Sequence, residues 1–428
     1  MYKILRFIFA AVIAVSSFFG IPVFEEETGL NTVAAEITEF SGKSEIVFDK
    51  QKVNTVEIEL ETAAPAEVKI CNNNEQIYHR SSSDAYRFCA FETVETDKLT
   101  VEIKGDAAVK SVKVSFKQNE NKDFRVTSYF VSQSITAPNS INPEVFDVVT
   151  DAIVFGCITF DENAEIKVDT SLLEPALTNV RNAIGNRNVN VYVNILGPGS
   201  DSGITDWNEQ MVNQAKKHSK AFKTRKLEGQ IAEILEKYNL DGIFFDYEYP
   251  IEKEAWNDFS RFLIRLNRAT DKKIGLAVAQ WDLGMSYSAM KVIDLVELMQ
   301  YDLFDSEGNH SSMTSAVNGY NAVKDNLIPK EKVDLGVPFY GRPADGGAYW
   351  YNYNEYADKL ADIDYTETDQ GKTYFNSWQT IYDKTAYAMS RGLGGMMVWH
   401  YSCDVYDINS DLSLFGAMMD CIEDRQVG

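Results

Sequence analysis

Apolar and polar residues follow two different patterns along the chain, and the change comes near residue 123. From residue 124 onwards, short apolar runs alternate with segments whose apolar residues recur every three or four positions, such as Trp256, Phe259, Leu263 and Leu266. The apolar runs predict buried parallel strands, and the periodic segments predict amphipathic helices. The predicted strands cover residues 125–130, 151–158, 189–196, 241–248, 274–280, 295–301, 333–340 and 395–401.

Eight strands with helices between them are typical of a (β/α)8 TIM barrel, an α/β fold that we predict for residues 124–428. A doubly wound open sheet is the alternative, and it is disfavoured because no glycine-rich phosphate loop follows the first strand. In such a barrel the functional groups lie at the carboxyl-terminal ends of the strands. Candidate chemistry is therefore expected at those eight positions.

Residues 36–118 show the period-two alternation of short strands, for example over 56–60 and 112–116. Clusters of Asn, Gly, Ser and Asp separate these runs, which predicts a small all-β, sandwich-like module before the barrel. The polar residues 119–123 form the predicted linker. Glycan binding, a spacer and a cell-wall contact are all consistent with this module, so its role stays open.

Residues 1–35 have the organisation of a secretory signal. Lys3 and Arg6 precede an apolar run over 7–24, and the small residues that end at Ala35 offer a cleavage point after it. An uncleaved membrane anchor is the alternative, because about 18 apolar residues could just span a bilayer. We expect cleavage, and hence a secreted protein without membrane contact, either free outside the cell or associated with the cell wall.

The chain carries a formal net charge of −23, from 41 Lys and Arg against 64 Asp and Glu. Such a charge repels phosphate backbones, which argues against nucleic-acid partners. Five cysteines are too few for a disulfide scaffold, although Cys71 and Cys89 lie in one module and could pair. With 4 His and no metal-ligand spacing, we predict neither a metal nor an organic cofactor, and we expect a monomer.

The predicted fourth strand ends in two acids that are followed by Pro250. Because strand side chains alternate, Phe244, Asp246 and Glu248 share one face, and the two carboxylates lie about 7 Å apart. Close carboxylates in an apolar setting repel and lose hydration, which separates their pKa values and leaves one protonated as a usable acid. The alternative is structural, since acids at strand ends also cap helices or pair with arginine.

The ends of several predicted strands resemble motifs of glycoside hydrolase family 18, the chitinase-like hydrolases. The fourth strand reads DGIFFDYEYP over 241–250, similar to that family's Asp-Gly-x-Asp-x-Asp-x-Glu, with Phe244 in place of the middle aspartate. The sixth strand ends in MQYD over 299–302, the seventh reads LGVPFYGR over 335–342, and the eighth reads GGMMVW over 394–399. The third strand departs from the usual Ser-x-Gly-Gly, because it reads NILGPG over 194–199.

Members of this family cleave β-linked N-acetylglucosamine polymers and use the acetamide of the substrate itself as the nucleophile. The resemblance implies that Glu248 is the general acid and then the general base. It also implies that Asp246 orients the acetamide N–H and stabilises the cationic oxazolinium intermediate, and that the Tyr301 hydroxyl holds the acetamide oxygen. Trp399 would stack on the distorted sugar, and the β configuration would be retained because two inversions occur at one carbon.

The same motifs imply further contacts with the substrate. The residues expected there are Trp399, Gln280, Trp281, Met299, Asp302, Tyr340 and Arg342. For Asp302 and Arg342 a structural ion pair is an equal alternative. The segment between residues 341 and 394 is too short for the α+β insertion that deepens the groove of many chitinases, and its aromatic residues over 349–353 could stack on sugars or pack in the core.

Phe244 leaves Asp246 without the acidic neighbour of the family pattern, so we expect activity to survive with an altered pH profile. Chitin and chitooligosaccharides are the leading substrates. An endo-β-N-acetylglucosaminidase acting on N-glycans, a peptidoglycan hydrolase and a non-catalytic sugar-binding protein are the alternatives. The presence of Glu248, Asp246 and Tyr301 favours an enzyme.

Overall fold

The computed structural model describes residues 31–119, 121–305, 307–361 and 363–426. An all-β module comes first and an α/β barrel follows it. The strands of the module are β1 (Asn31–Ile37), β2 (Lys43–Leu60), β3 (Ala66–Asn72), β4 (Glu75–Ser82), β5 (Tyr86–Gly105) and β6 (Val109–Lys117).

The six strands of the module form one continuous antiparallel sheet in the order β1-β6-β2-β5-β3-β4. The long strands β2 and β5 run through the whole sheet, so that β6 pairs with the second half of β2 and β3 with the second half of β5. Both halves of the sheet place apolar side chains in one core, for example Val56 and Val114 from one half and Ile70 and Leu99 from the other. The module is all-β as predicted, but a single sheet supplies both sides of its core.

The first strand of this sheet overlaps the predicted signal. Residues 1–30 lie outside the described residues, and β1 pairs with β6, with Val33 opposite Ser115 and Ile37 opposite Val112. Cleavage after Ala35 would therefore fall within a paired strand. The signal itself stays a prediction.

The pairing considered for Cys71 and Cys89 does not occur, because both thiols are free. Cys71 lies opposite Thr100 of β5, whereas Cys89 lies opposite Val56 of β2. The register thus separates the two sulfurs by about half the length of β5, far beyond the few ångströms that a disulfide spans.

The second part of the chain alternates strands with helices. Its strands are β7 (Arg125–Val131), β8 (Asp151–Phe155), β9 (Ile158–Phe160), β10 (Ile166–Val168), β11 (Asn190–Leu196), β12 (Gly242–Asp246), β13 (Lys273–Val278), β14 (Leu295–Leu298), β15 (Val333–Pro338), β16 (Tyr340–Pro343), β17 (Tyr351–Asn352), β18 (Tyr365–Thr368), β19 (Gly371–Tyr374) and β20 (Gly395–Trp399). Its helices are α1 (Thr170–Ile184), α2 (Trp207–Thr224), α3 (Leu227–Lys237), α4 (Lys253–Ala269), α5 (Tyr287–Met290), α6 (Met313–Asp325), α7 (Trp378–Ser390) and α8 (Leu414–Arg425).

Eight parallel strands close into a barrel, which confirms the predicted (β/α)8 fold. Their order is β7, β8, β11, β12, β13, β14, β15 and β20, and β20 pairs back onto β7. Inward and outward side chains alternate along each strand. In β12, for example, Phe244 lies in the barrel interior, whereas Phe245 packs outward against Phe259 and Phe262 of α4.

The segment between β15 and α7 folds into a small antiparallel sheet in the order β17-β16-β19-β18. This sheet stands above the barrel at the carboxyl-terminal ends of the strands, because β16 continues directly from β15. Tyr353, in a short 3-10 turn after β17, is buried with its hydroxyl donating to the Leu412 carbonyl oxygen at 2.9 Å. This insertion therefore shapes one rim of the barrel mouth.

The module docks firmly against the barrel through buried polar groups. Asp383 of α7 accepts hydrogen bonds from the Tyr78 hydroxyl and the Ala90 backbone N–H, both at 2.9 Å. Arg425 of α8 is 1% exposed and donates to the Thr55 hydroxyl at 3.0 Å and to the Phe91 carbonyl at 3.2 Å. Buried groups that find hydrogen-bond partners across the interface hold the two parts in one arrangement.

Candidate active site

A cavity of about 370 Å³ opens at the carboxyl-terminal ends of the barrel strands. Six of the barrel strands or the segments that follow them contribute to its walls. The lining residues are Tyr129, Asp246, Glu248, Tyr249, Ala277, Ala279, Trp281, Met299, Tyr301, Asp302, Leu303, Tyr340, Trp350 and Trp399. Acids, phenols and indoles thus converge where this fold carries its functional groups.

Asp246 and Glu248 lie together at the centre of the cavity. Asp246 is the last residue of β12, and Glu248 follows the end of the strand, where its side chain is exposed to the cavity. Burial raises the pKa of Asp246 well above its usual range, and the charge of Glu248 and a hydrogen bond between the two acids raise it further. Asp246 therefore holds a proton more readily than an ordinary aspartate does.

One oxygen of this pair has no fixed partner. Asp246 Oδ1 is buried and accepts no hydrogen bond from any described residue. A buried carboxyl oxygen without a donor is costly to leave in that state. A ligand group with an N–H or O–H would satisfy it.

Phenol groups surround the two acids. The Tyr249 hydroxyl interacts with Glu248 by hydrogen bonding, and the pKa of Tyr249 is raised chiefly by burial. Burial also raises the pKa of Tyr301, and the neighbouring Tyr340 and Glu248 raise it further. Both phenols stay protonated, and the Tyr301 hydroxyl can donate a hydrogen bond to a ligand.

Trp399 forms the floor of the cavity at the end of β20. Its ring contacts Tyr129 and Phe155, with centroid distances of 5.1 Å and 4.7 Å. These neighbours fix the indole, while the cavity leaves part of it uncovered. A rigid, partly exposed indole offers a flat apolar surface of the kind on which sugar rings stack.

Phe244 lies directly below Asp246 in the barrel interior and is fully buried. Its ring meets Tyr192 edge-on at 5.1 Å and occupies the space left by Gly275 on the neighbouring strand, where any Cβ would overlap it. Gly275 therefore makes room for an aromatic ring at position 244. The acid that the family pattern has at this position is replaced by a packed apolar group.

Asp302 and Arg342 form an ion pair with 2.5 Å between Asp302 Oδ1 and Arg342 Nη1. The Tyr340 hydroxyl donates to the same oxygen at 2.9 Å. Burial opposes ionisation of Asp302, but hydrogen bonding to His310 and the charge of Arg342 outweigh it and lower the pKa of the carboxyl. The structural ion pair considered for Asp302 and Arg342 is therefore present. About half of the Asp302 side chain nevertheless remains exposed, and Asp302 lines the cavity.

Gln280 and Arg342 are the expected contact residues that do not line the cavity, and Arg342 reaches it only through its ion pair with Asp302. Ala279 and Trp281 on either side of Gln280 do line it, and alternation directs the intervening side chain away, with Gln280 Oε1 buried. Trp281 is 50% exposed. It packs against Tyr249 at 4.6 Å and against Trp207 of α2 at 6.0 Å.

The opposite rim carries Trp350, which is 43% exposed and meets Tyr340 edge-on at 4.7 Å. Tyr349 beside it is 60% exposed, whereas Tyr353 is buried. The aromatic residues of this segment therefore divide between the groove and the core. Trp281 and Trp350 are thus partly exposed aromatic residues that line the cavity in addition to Trp399, and together with Trp207 they form an aromatic track.

The family model of the glycosyl hydrolases family 18 matches residues 125–404 of this chain, which include β7 to β20 and every residue that lines the cavity. The chain belongs to glycosyl hydrolases family 18. Phe244 in the active-site strand is therefore a departure within the family.

Two curated relatives of this family 18 chain are named as chitinases. It is 24% identical to Chitinase A1 of Niallia circulans over 251 residues and 25% identical to Endochitinase 1 of Metarhizium anisopliae over 226 residues. Each alignment covers 40% of this chain, and the two alignments cover 36% and 53% of the relatives. The chain thus spans about a third to a half of the length of these proteins.

Solved structures share the barrel fold. The GH18 chitinase ChiB of Flavobacterium johnsoniae has a TM-score of 0.56 and 23% identity, over 72% of this chain and 95% of that one. The chitinase-like agglutinin of Robinia pseudoacacia has a TM-score of 0.53 and 18% identity, over 69% of this chain and 99% of that one. Likeness at this level of identity establishes the architecture of the family 18 domain.

Three residues at the site were not singled out from the sequence. Tyr129 lines the cavity from β7, Tyr249 from the segment after β12, and Trp207 extends the aromatic track from α2. Tyr129 could have been found, because alternation along the first predicted strand places it on one face with Thr127. Trp207 carries no such signal, since it is the first residue of α2 and follows a long connection. Among the described residues, no group of three or more His, Cys, Asp or Glu is arranged to hold a metal ion.

Proposed function

We propose that this protein hydrolyses β-1,4-linked N-acetylglucosamine polymers, chitin or chitooligosaccharides first, by substrate-assisted catalysis with retention of configuration. The observation that carries the proposal is the hydrogen-bonded pair of Asp246 and Glu248, which lines one cavity together with Tyr301 and Trp399. The names of the curated relatives and of the similar structures support the choice of substrate.

In the proposed first step, the pair of Asp246 and Glu248 holds one proton. An acetamide N–H that donates to Asp246 Oδ1 stabilises the ionised form of Asp246, and the proton of the pair then resides on Glu248. Glu248 delivers this proton to the glycosidic oxygen as the bond from that oxygen to C1 breaks. The acetamide oxygen, held by the Tyr301 hydroxyl, attacks C1 and forms the oxazolinium ion, whose positive charge faces the Asp246 carboxylate.

The second step reverses the roles. Glu248, now ionised, takes a proton from a water molecule, which attacks C1 and opens the oxazolinium ring. The proton is back on the acid pair, and the two inversions at C1 restore the β configuration. Trp399 holds the reacting sugar throughout by stacking beneath it.

The aromatic track favours a substrate of several sugars and cleavage within the chain. Trp281 follows β13 and packs against Trp207, whereas Trp350 comes from the insertion above the barrel, and both Trp281 and Trp350 line the cavity. A glycan that stacks on both residues crosses the cavity that holds the acid pair, so the bond that breaks lies inside the polymer. An exo-acting enzyme would need one end of this groove to be closed.

The test is product release by the purified protein and by its Glu248→Gln variant, offered chitohexaose, a high-mannose glycoprotein and peptidoglycan in parallel. We expect the parent to cleave chitohexaose and the variant to lose at least about a hundredfold in rate, because an amide cannot transfer the proton. Cleavage of the glycoprotein or of peptidoglycan alone would reassign the substrate. Binding without cleavage by both proteins would favour a sugar-binding protein.

We also propose that the protein is secreted, on the basis of the apolar run over residues 7–24 behind Lys3 and Arg6. No helix among the described residues is long and apolar enough to cross a bilayer. Sequencing the amino terminus of the exported protein tests the proposal and the cleavage point. A new terminus after Ala35 would cut β1, whereas one before Asn31 would keep the strand whole.

A further inference from the structure

A further acid, Glu297, lies inside the barrel below the acid pair. It belongs to β14, in which Leu295 and the following Met299 also face the interior. Glu297 is fully buried. Burying a carboxyl without a hydrogen-bond or charged partner costs free energy, so the position of Glu297 calls for an explanation.

Glu297 shares a layer of the interior with Phe244. Alternate strands of such a barrel contribute layers of four inward side chains. The strand registers place one layer at Ile153, Phe244, Glu297 and Met397, and the next layer towards the cavity at Phe155, Asp246, Met299 and Trp399. Glu297 thus holds a carboxyl at the depth where the family pattern has its middle aspartate, but on a different strand.

Several titratable groups face this carboxyl from the surrounding strands. They are Tyr129 of β7, Asp151 of β8, Asp246 of β12, Asp334 of β15 and Tyr301 beyond β14. Burial raises the pKa of Glu297 well above its usual range, the hydrogen-bonding contribution of Tyr129 opposes this rise, and the nearby acids add to it. The complete burial of Glu297 favours the neutral carboxylic acid, which has one O–H to donate.

Tyr129 lies between this acid and the catalytic pair. Neither oxygen of Glu297 has a hydrogen-bond partner of good geometry among the described residues, and the Tyr129 phenol is the polar group that approaches it. The Tyr129 phenol also lines the cavity, and the charge of Asp246 adds to the rise that burial and Glu297 cause in its pKa. Asp246 Oδ1 is buried without a donor of its own.

We propose that Glu297 is a positioning residue that donates its O–H to the Tyr129 oxygen and thereby directs the Tyr129 hydroxyl towards Asp246. This inference rests on the proposed function, because the ionised Asp246 is the group that the directed hydroxyl stabilises. A phenol that accepts one hydrogen bond donates the next one more strongly. The hydrogen-bond chain from Glu297 through Tyr129 to Asp246 thus replaces the interaction with Asp246 that an acid at position 244 would make.

The test compares pH profiles of kcat/KM on chitohexaose. Glu297→Leu and Tyr129→Phe each break the donor chain, so the ionised pair loses a hydrogen bond and its first ionisation moves to higher pH. We expect the acidic limb of the profile to shift to higher pH and kcat to fall by about 10- to 100-fold, the range for a hydrogen bond to a charged group. Glu297→Gln keeps a donor and should stay within about threefold of the parent.

The double variant Glu297→Leu with Tyr129→Phe decides between a chain and two separate effects. Residues that act through one another are non-additive, so the double variant should be no worse than Tyr129→Phe alone. Ile153→Leu, in the same layer, is the packing control and should leave the acidic limb in place. If Glu297→Leu does not fold, Glu297→Met removes the same donor with a more adaptable side chain.

Three results would overturn the role of Glu297. These are an unchanged acidic limb in Glu297→Leu, additive losses in the double variant, and a Glu297→Gln variant as impaired as Glu297→Leu. A parent protein that cleaves none of the offered glycans would overturn the proposed function itself. The two failures are thus distinguishable, because the first needs an active parent.

Discussion

His218 makes the stability of the barrel depend on pH, and the dependence can be worked out from its surroundings. The side chain lies on α2 and stacks on Tyr247 with 3.9 Å between ring centroids. Its Nδ1 lies 3.0 Å from the Gln214 carbonyl oxygen. Burial lowers the pKa of His218 from 6.5 to about 4, and the hydrogen bond to Gln214 offsets only part of that effect. Tyr247 stands between Asp246 and Glu248 in the chain, so the stack supports the segment that carries the candidate acids.

The sign of this pH dependence follows from the protonation of His218 in the unfolded and folded states. In the unfolded chain His218 takes up a proton as the pH falls through 6.5, whereas in the folded protein it stays neutral until about pH 4. Between these values the unfolded state binds more protons, so the free energy of unfolding decreases as the pH falls. The full decrease is about 3 kcal/mol, since one pKa unit corresponds to about 1.4 kcal/mol. Above pH 6.5 both states are neutral, and His218 contributes no pH dependence.

The perturbation is His218→Phe, which keeps a ring against Tyr247 and removes the titration. Urea unfolding of parent and variant between about pH 4 and pH 8 gives two curves of stability against pH. We expect the parent to lose about 3 kcal/mol more than the variant as the pH is lowered across this range. Any loss of packing in the variant is independent of pH and cancels in this comparison.

His400 provides a second test of the same reasoning. Burial lowers the pKa of His400 to about 4 as well, and this residue remains in both proteins. His400→Gln should therefore flatten the parent curve in the same direction, and the two substitutions should add because the two rings pack against different residues. Parallel curves for the parent and His218→Phe would refute the assignment of the pH dependence to this histidine.

Three further predictions concern the interior and the groove. Gly275→Ala should lower the free energy of unfolding by about 1–3 kcal/mol, since its Cβ would overlap the Phe244 ring. Gly229→Ala, in an exposed turn of α3 with open space around it, is the matched control and should stabilise by about 0.5–1 kcal/mol; equal values in urea unfolding would contradict this. Phe244→Asp should move the pH optimum of kcat/KM without abolishing turnover, and an unchanged profile would mean that this position does not influence the acid pair. Trp281→Ala should raise KM for chitohexaose by about tenfold but change KM for chitotriose little, and equal effects on both would place Trp281 outside the distal sugar sites.

Much of the barrel could be predicted because each of its strands is buried on both faces and reads as an apolar run. The predicted strand ends were less accurate where the chain leaves the sheet to form the site. The strand predicted over 241–248 ends at Asp246, and Glu248 lies beyond it. In the module, β4 (Glu75–Ser82) was missed because this edge strand is largely polar and lacks a clear alternation.

The residues of the site also divide into those that the sequence predicted correctly and those that it did not. Asp246, Glu248, Tyr301 and Trp399 were expected together, because each ends a barrel strand and such ends meet at one face. Gln280 was expected there as well, but its side chain points away from the cavity. Its neighbours show the physical reason, since adjacent residues at a strand end face opposite sides.

The sequence by itself determined the fold class, the strand that carries the acid pair and the departure at Phe244, because these depend on local periodicity and on motifs within single strands. Only the tertiary structure decided that Gly275 makes room for the Phe244 ring, and that Glu297 lies one layer below Asp246. It also decided that Trp207 extends the aromatic track. These relations join residues from different strands and helices, and they depend on the register and closure of the barrel, which no local pattern in the chain specifies.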